Sequence, residues 1–276
     1  MTLPILSTGT DDVNTAILSG AGDVRLRLLQ CGAPQGRPVL FLHGITENAS
    51  AFEPLMRQLP DHLRPMALDL RGRGQSFKPE SGYRMADYIE DLLVVCNSLN
   101  GYAERPVLVG HSMGARIAAA FAATHPTMAD GVVLVDPPLS GPGRSAFPLP
   151  LSRFLEPKRA IDEGRYDDFK AYYTTPGFDY ERKALELQSC ATAAIEQSYA
   201  AMNAEPFHAY YRMLRLPALL LSAGLAPFIS EEAEEELRTM NPGIRTERLA
   251  YVGHEVHKLA PERLAASLTA FLASLS

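Results

Sequence analysis

Gly110-His111-Ser112-Met113-Gly114 is the stretch of this chain best suited to covalent chemistry. A short apolar run, Pro106–Val109, precedes it, and a helical pattern begins at Met113. A G-x-S-x-G pentapeptide between a strand and a helix predicts a turn so sharp that only small residues fit around the serine. Such a turn lifts the Ser112 hydroxyl clear of a sheet. It also leaves the Met113 amide at a helix N-terminus, where it can stabilise an oxyanion. The bland alternative is an ordinary tight turn. A second oxyanion donor is expected in the loop after the run Pro38–Leu42, where His43-Gly44-Ile45 makes the Ile45 amide the candidate. Read without chemistry, His43-Gly44 only turns the chain, and His111 fills the elbow from beneath.

A nucleophilic serine needs a base. His254, in Gly253-His254-Glu255, follows the last strand pattern and precedes the terminal helix, which makes it the natural choice. His257 is its rival three residues on, and an incidental surface histidine is the alternative for either. His43 comes before the serine and is a poor base. His62, His125 and His208 have no comparable context.

These side chains need a frame, and the hydrophobic pattern supplies one. Val13–Leu18 and Val24–Leu29 flank Gly20-Ala21-Gly22 and predict an opening hairpin. Pro38–Leu42, Pro65–Leu70, Pro106–Val109 and Val132–Val135 are short and unbroken, as in strands buried on both faces of a parallel sheet. Helical stretches alternate with them at Ala49–Leu59, Met85–Leu99 and Met113–Ala123. Tyr88, Leu92, Val95 and Leu99 form one apolar face of the second. After Asp136 the alternation stops. Pro/Gly-rich chain and helical segments such as Tyr180–Ala201 fill the stretch to about Arg215. Strands at Pro217–Leu221 and Arg245–Ala250, a glutamate-rich helix Ser230–Met240 and a helix from Pro261 then complete the chain. The expected fold class is α/β: a mostly parallel sheet flanked by helices. The expected core is residues 1–136 and 216–276, with a helical cap at 137–215 inserted after strand six.

Composition narrows the function classes. The 276 residues are 46% hydrophobic, with 26 Lys+Arg against 32 Asp+Glu and a net charge of −6. That charge argues against a nucleic-acid partner, which requires a basic footprint. The apolar content excludes disorder. Cys31, Cys96 and Cys190 lie far apart with no C-x-x-C, against zinc ribbons and redox motifs. Residues 1–20 lack a basic segment and carry Asp11 and Asp12, unlike a signal peptide. No run of 18 apolar residues predicts a membrane span. The expected location is the cytoplasm, and no metal or organic cofactor is expected.

Together these features resemble the α/β-hydrolase superfamily over essentially the whole chain. Asp69-Leu70-Arg71-Gly72-Arg73-Gly74-Gln75-Ser76 also looks like that family's D-x-R-G-x-G-x-S loop. Most members place the catalytic acid after the seventh strand. Here that segment reads Ser222-Ala223-Gly224-Leu225-Ala226-Pro227, with Ala226 where the carboxylate would stand. Asp136, ending the strand next to the serine's, is then the expected acid, fixing the tautomer of the histidine. A turn-capping aspartate before Pro137 is the alternative reading. Glu231 and Glu232 are substitutes, though they read as first-turn charges of a solvent-facing helix.

Gly110–Arg116, Val133–Arg144 and Pro217–Gly224 look like the N-formylmaleamate deformylases of nicotinate degradation, whose relatives act on an acetamidomethylene succinate. In that group the acid sits after strand six. The resemblance implies a C–N hydrolase for a small, carboxylate-bearing amide or N-formyl compound. Arginine suits such a substrate. Arg144, just past Gly141-Pro142-Gly143, is the expected substrate-binding residue, ahead of Arg116. Tyr172, Tyr173 and Phe178 are candidate pocket residues that read equally as helix core. The alternatives are a carboxylesterase or C–C bond hydrolase on the same fold, or a non-catalytic ligand-binding protein.

Overall fold

The computed structural model describes residues 13–175, 177–225 and 228–275. Its strands are β1 (Asn14–Ser19), β2 (Arg25–Gln30), β3 (Arg37–Leu42), β4 (Leu63–Leu68), β5 (Val107–His111), β6 (Gly131–Val135), β7 (Ala218–Ala223) and β8 (Arg245–Leu249). They form one sheet in the order β1-β2-β4-β3-β5-β6-β7-β8. β1 and β2 are an antiparallel hairpin joined antiparallel to β4, and every other pairing is parallel.

Side chains alternate across each strand, so every unbroken apolar run feeds two cores. Leu40, Leu42, Leu108, Val132, Leu134 and Leu220 face the helices Met85–Ser98 and Met113–Thr124. Val39, Phe41, Val107, Val109, Val133 and Leu221 face the opposite layer, including the helix Pro261–Ala273. The stretch read as one helix over 49–59 is a 3₁₀ turn, Ala49–Phe52, capped by the Asn48 side chain, followed by a single α turn, Glu53–Met56.

Among the described residues, five helices stand between β6 and β7: Ser152–Asp162, Tyr166–Lys170, Tyr180–Gln188, Thr192–Ala204 and Phe207–Met213. The pattern Tyr180–Ala201 thus holds two helices rather than one. The chain bends at Ser189–Ala191, where the Ala191 amide donates to the Gly72 carbonyl at 2.8 Å and the Ser189 hydroxyl receives the Gly74 amide. The inserted helices divide in their packing as well. Ala160, Ile161, Phe169, Ala184 and Leu187 make a small core of their own. Ala194, Ile195, Met202, Phe207 and Tyr211 instead join the core beneath the elbow helix.

Close packing is extreme where β5 turns into the helix Met113–Thr124. A Cβ on Gly110 would lie 2.2 Å from the Gly114 carbonyl oxygen, and one on Gly114 only 2.0 Å from that of Leu42. Both contacts are with backbone that cannot swing aside. Gly114→Ala should therefore destabilise the fold by at least ~2 kcal/mol, the scale of core overpacking. Thermal unfolding should register this as a drop in Tm of ~4 °C or more. An unchanged Tm would contradict the packing described here.

Candidate active site

The crowded elbow holds Ser112 at φ 54° and ψ −117°, a conformation that L-residues rarely adopt. Its amide is spent on the Val135 carbonyl at 2.9 Å, tying the elbow to β6. Asp136 ends β6, also at positive φ, with its amide donated to Leu221 at 2.7 Å. Both unusual residues thus stand at the carboxyl edge, where open α/β sheets carry their crevice.

The Asp136 carboxylate is fully buried and accepts three hydrogen bonds. The Ala223 amide reaches Oδ1 at 3.2 Å, and the Phe228 amide reaches Oδ2 at 3.3 Å. His254 Nδ1 meets Oδ2 at 2.6 Å. A carboxylate there fixes the proton on Nδ1 and leaves Nε2 bare. The end of β7 and the loop after it thus serve Asp136 with backbone amides, and the Phe228 ring stands edge-on to the His254 imidazole at 4.1 Å. Ala226 lies outside the described residues. Burial pushes the His254 imidazole below its ordinary value, and the bond to Asp136 pulls it part of the way back. His254 is therefore neutral at neutral pH.

Ser112 and His254 line one cavity of about 320 Å³. Ile45 lines it too, and the Met113 amide opens the helix after the serine. Among the described residues no protein group accepts the amide hydrogen of Ile45 or Met113. Phe147, Phe154, Tyr173, Phe178 and Phe228 form an aromatic wall, so Tyr173 and Phe178 line the cavity. Tyr172 does not, and its hydroxyl donates to Glu156.

Arg144 requires a correction. Its guanidinium forms a fork with Glu236, at 2.9 and 2.5 Å, on a half-exposed surface away from the cavity lining. Proximity to the Gly-Pro-Gly segment does not determine where the side chain points, and a carboxylate 92 residues away claims both of its arms. Arg116 is buried and donates to the carbonyls of Pro138, Ser140 and Glu205. The cations that do line the cavity are Arg153 and Lys183. Lys183 Nζ spends its three protons on Thr46 O, Thr46 Oγ1 and Glu186, all within 3.2 Å. Arg153 lies over the Tyr173 ring at 5.7 Å, and no hydrogen-bond acceptor for its guanidinium occurs among the described residues.

Glu231 and Glu232 begin their helix away from the cavity, as its first-turn charges. His257 is fully buried outside the cavity lining, with Nε2 3.1 Å from Glu47. Glu47 itself escapes the sequence reading. Its carboxylate takes the Gly44 amide, His111 Nδ1, His257 Nε2 and Lys258 Nζ. Glu47, His111 and His257 bring ligand-type atoms within 4.8 Å of one another. The Lys258 ammonium already stands 2.8 Å from the same carboxylate. Arg73 is the other residue the sequence undervalues, since its Nε donates to the Ile45 carbonyl at 3.2 Å and orients that peptide.

The sequence pattern of the alpha/beta hydrolase fold family matches residues 37–261. The chain belongs to the α/β-hydrolase family. This α/β-hydrolase is 31% identical over 256 residues to the N-formylmaleamate deformylase of Pseudomonas putida, covering 91% of this chain and 92% of that protein. It is 29% identical over 264 residues to the 2-(acetamidomethylene)succinate hydrolase of Mesorhizobium japonicum, with the same two coverages. Among solved structures, the N-formylmaleamic acid deformylase of Pseudomonas putida S16 matches with a TM-score of 0.82 at 25% identity, over 94% of this chain and all of that one. No helix among the described residues of the α/β-hydrolase is long and apolar enough to cross a membrane.

Proposed function

We propose that this α/β-hydrolase cleaves a C–N bond of a small carboxylate-bearing amide or N-formyl compound through an acyl-enzyme on Ser112. The observation that carries the reading is the 2.6 Å bond from Asp136 to His254 Nδ1, with the same histidine and Ser112 lining one cavity. His254 Nε2 takes the hydroxyl proton as Ser112 Oγ bonds to the acyl carbon. The amides of Ile45 and Met113 receive the oxyanion, each worth roughly 3–4 kcal/mol of barrier. His254 then protonates the leaving nitrogen and the C–N bond breaks. Water, deprotonated by the same imidazole, releases the acid. Among substrates, N-formylmaleamate, giving maleamate and then formate, is favoured by the named relatives.

Arg153 is the residue we assign to the substrate carboxylate, because Lys183 has no proton left to donate and Arg144 is engaged elsewhere. The five aromatic rings of the wall support a second reading, hydrolysis of an ester with a larger apolar group.

Formate release from N-formylmaleamate, set beside turnover of 4-nitrophenyl acetate, tests the proposal. Both should vanish into the residual ~10³–10⁴ over water when Ser112 becomes Ala. Turnover of Ser112→Ala within tenfold of the parent would defeat the serine mechanism, and ester turnover without formate would favour the second reading.

Asp136→Asn should lower kcat by at least ~10², about 3 kcal/mol of barrier, because the amide holds His254 in the wrong tautomer. Near-normal kcat in a folded Asp136→Asn protein would remove Asp136 from the mechanism.

Arg153→Ala should raise KM for carboxylate-bearing substrates roughly tenfold or more and leave neutral esters within about twofold, the pattern of a lost uniform binding interaction. Arg144→Ala should affect neither class. Equal losses on both classes would show that Arg153 shapes the cap instead of binding charge.

A further inference from the structure

His111, the residue before the proposed nucleophile, is fully enclosed and has an acceptor at each ring nitrogen. Its Nε2 lies 3.0 Å from the carbonyl oxygen of His254, which can only accept. Its Nδ1 lies 3.2 Å from Glu47 Oε2. The protonation state of His111 therefore turns on whether Glu47 can carry a proton. It cannot. Burial favours the protonated form, but the Lys258 ammonium, with His257 and the Gly44 amide beside it, outweighs burial and holds the carboxyl well below its usual range. Gly44 N reaches Oε2 at 2.8 Å beside His111. On Oε1, Lys258 Nζ stands at 2.8 Å and His257 Nε2 at 3.1 Å. With Glu47 ionised, both nitrogens of His111 face acceptors, so both carry hydrogen.

We propose that Glu47 holds His111 as an imidazolium beneath the active site, and that this cation positions His254 and tunes it as a base. The proposal rests on the serine-hydrolase reading of Ser112 and His254. His111 grips the His254 backbone with one N–H, and its ring centre is 4.7 Å from the His254 ring. A like charge this close disfavours a second proton on His254. The base then stays free below the pH at which an ordinary imidazole charges.

Every element packed around His111 enters the balance. Glu47 comes from the loop after β3, and Glu255 flanks His254 in the loop after β8. His257 and Lys258 come from the short helix Val256–Leu259, with the His257 ring 4.3 Å away. The cap adds Lys183 and Glu186. Lys183 and Lys258 offset two of the carboxylates Glu47, Glu186 and Glu255, and a proton on His111 offsets the third. Burial works against that proton, but the charge and hydrogen bond of Glu47 outweigh it and lift His111 above its ordinary value. His257 shares the carboxylate yet falls to about 4, because burial outweighs the pull of Glu47 and the charges of His111 and Lys258 push the same way as burial. One anion thus supports one imidazolium and one neutral ring.

The test has two arms. The first is NMR of the wild-type protein labelled with 15N in its seven histidines, from about pH 6 to about pH 9. One histidine should keep protons on both ring nitrogens well above the ordinary histidine value of 6.5. Its signals should be those missing from His111→Gln and should collapse to a neutral tautomer in Glu47→Gln. A His111 with one bare nitrogen at about pH 7 overturns the proposal. The second arm is the pH profile of kcat/KM. Its acid limb should lie below the ordinary histidine value of 6.5 in the parent. In His111→Gln, which keeps a donor for the His254 carbonyl, it should rise by about one unit or more. A limb that stays in place in folded His111→Gln refutes the tuning. Failure of the serine mechanism is seen separately, as turnover surviving Ser112→Ala, while the proton count on His111 is decided by the spectra alone.

Discussion

A single buried carboxylate, that of Glu47, joins the parts of the site that come from distant stretches of chain. It receives the Gly44 amide from its own loop, His111 from the elbow, and His257 and Lys258 from the helix after the histidine loop. Lys258 carries the linkage into the cap through Glu186. An ion removed from water is tolerated only when its lone pairs are met, and Glu47 meets all of its own with donors from four positions. Each loop is thereby registered against the others. Arg73 and Lys183 add grips on the Ile45 and Thr46 carbonyls, so the segment with the proposed oxyanion donor is held from both sides.

This division between covalent strain and ionic registration follows the fold. β5 and β6 deliver Ser112 and Asp136 in unfavourable backbone conformations, which the sheet can impose because its central strands are packed on both faces. The histidine arrives on a loop after an edge strand that is itself only partly buried. There the chain relies on hydrogen bonds, from His254 to Asp136 and from His111 to the His254 carbonyl.

Much of this is legible in the sequence. The parallel strands announce themselves as short runs without polar alternation, and the elbow as glycines around a serine at a strand–helix junction. The meeting of Asp136 with His254 follows from strand adjacency and from the alanine in the loop after β7. What escapes is set by side-chain direction and by contacts far apart in sequence. Arg144 sits near the cap in the chain yet turns outward to Glu236. The bend at Ser189–Ala191 has no glycine or proline to mark it, because the Gly72 carbonyl, not local propensity, ends the helix. Glu47 goes unnoticed because its partners His111 and His257 stand 64 and 210 residues away. The one local clue is the spacing from Gly44 to Glu47, which lets a side chain close on an amide three residues earlier.

The inserted helices carry two jobs on different residues. The aromatic wall is supplied largely by Phe147, Phe154, Tyr173 and Phe178, whereas the tie to the cavity floor is made by Lys183 and Glu186 on the next helix. Mutational drift in the first group reshapes what the cavity admits without disturbing the ions that hold its floor. Changes of cavity lining can thus be concentrated in about thirty residues, which makes the stretch between Phe147 and Phe178 the place where this scaffold can be retargeted by exchange of a single contiguous segment.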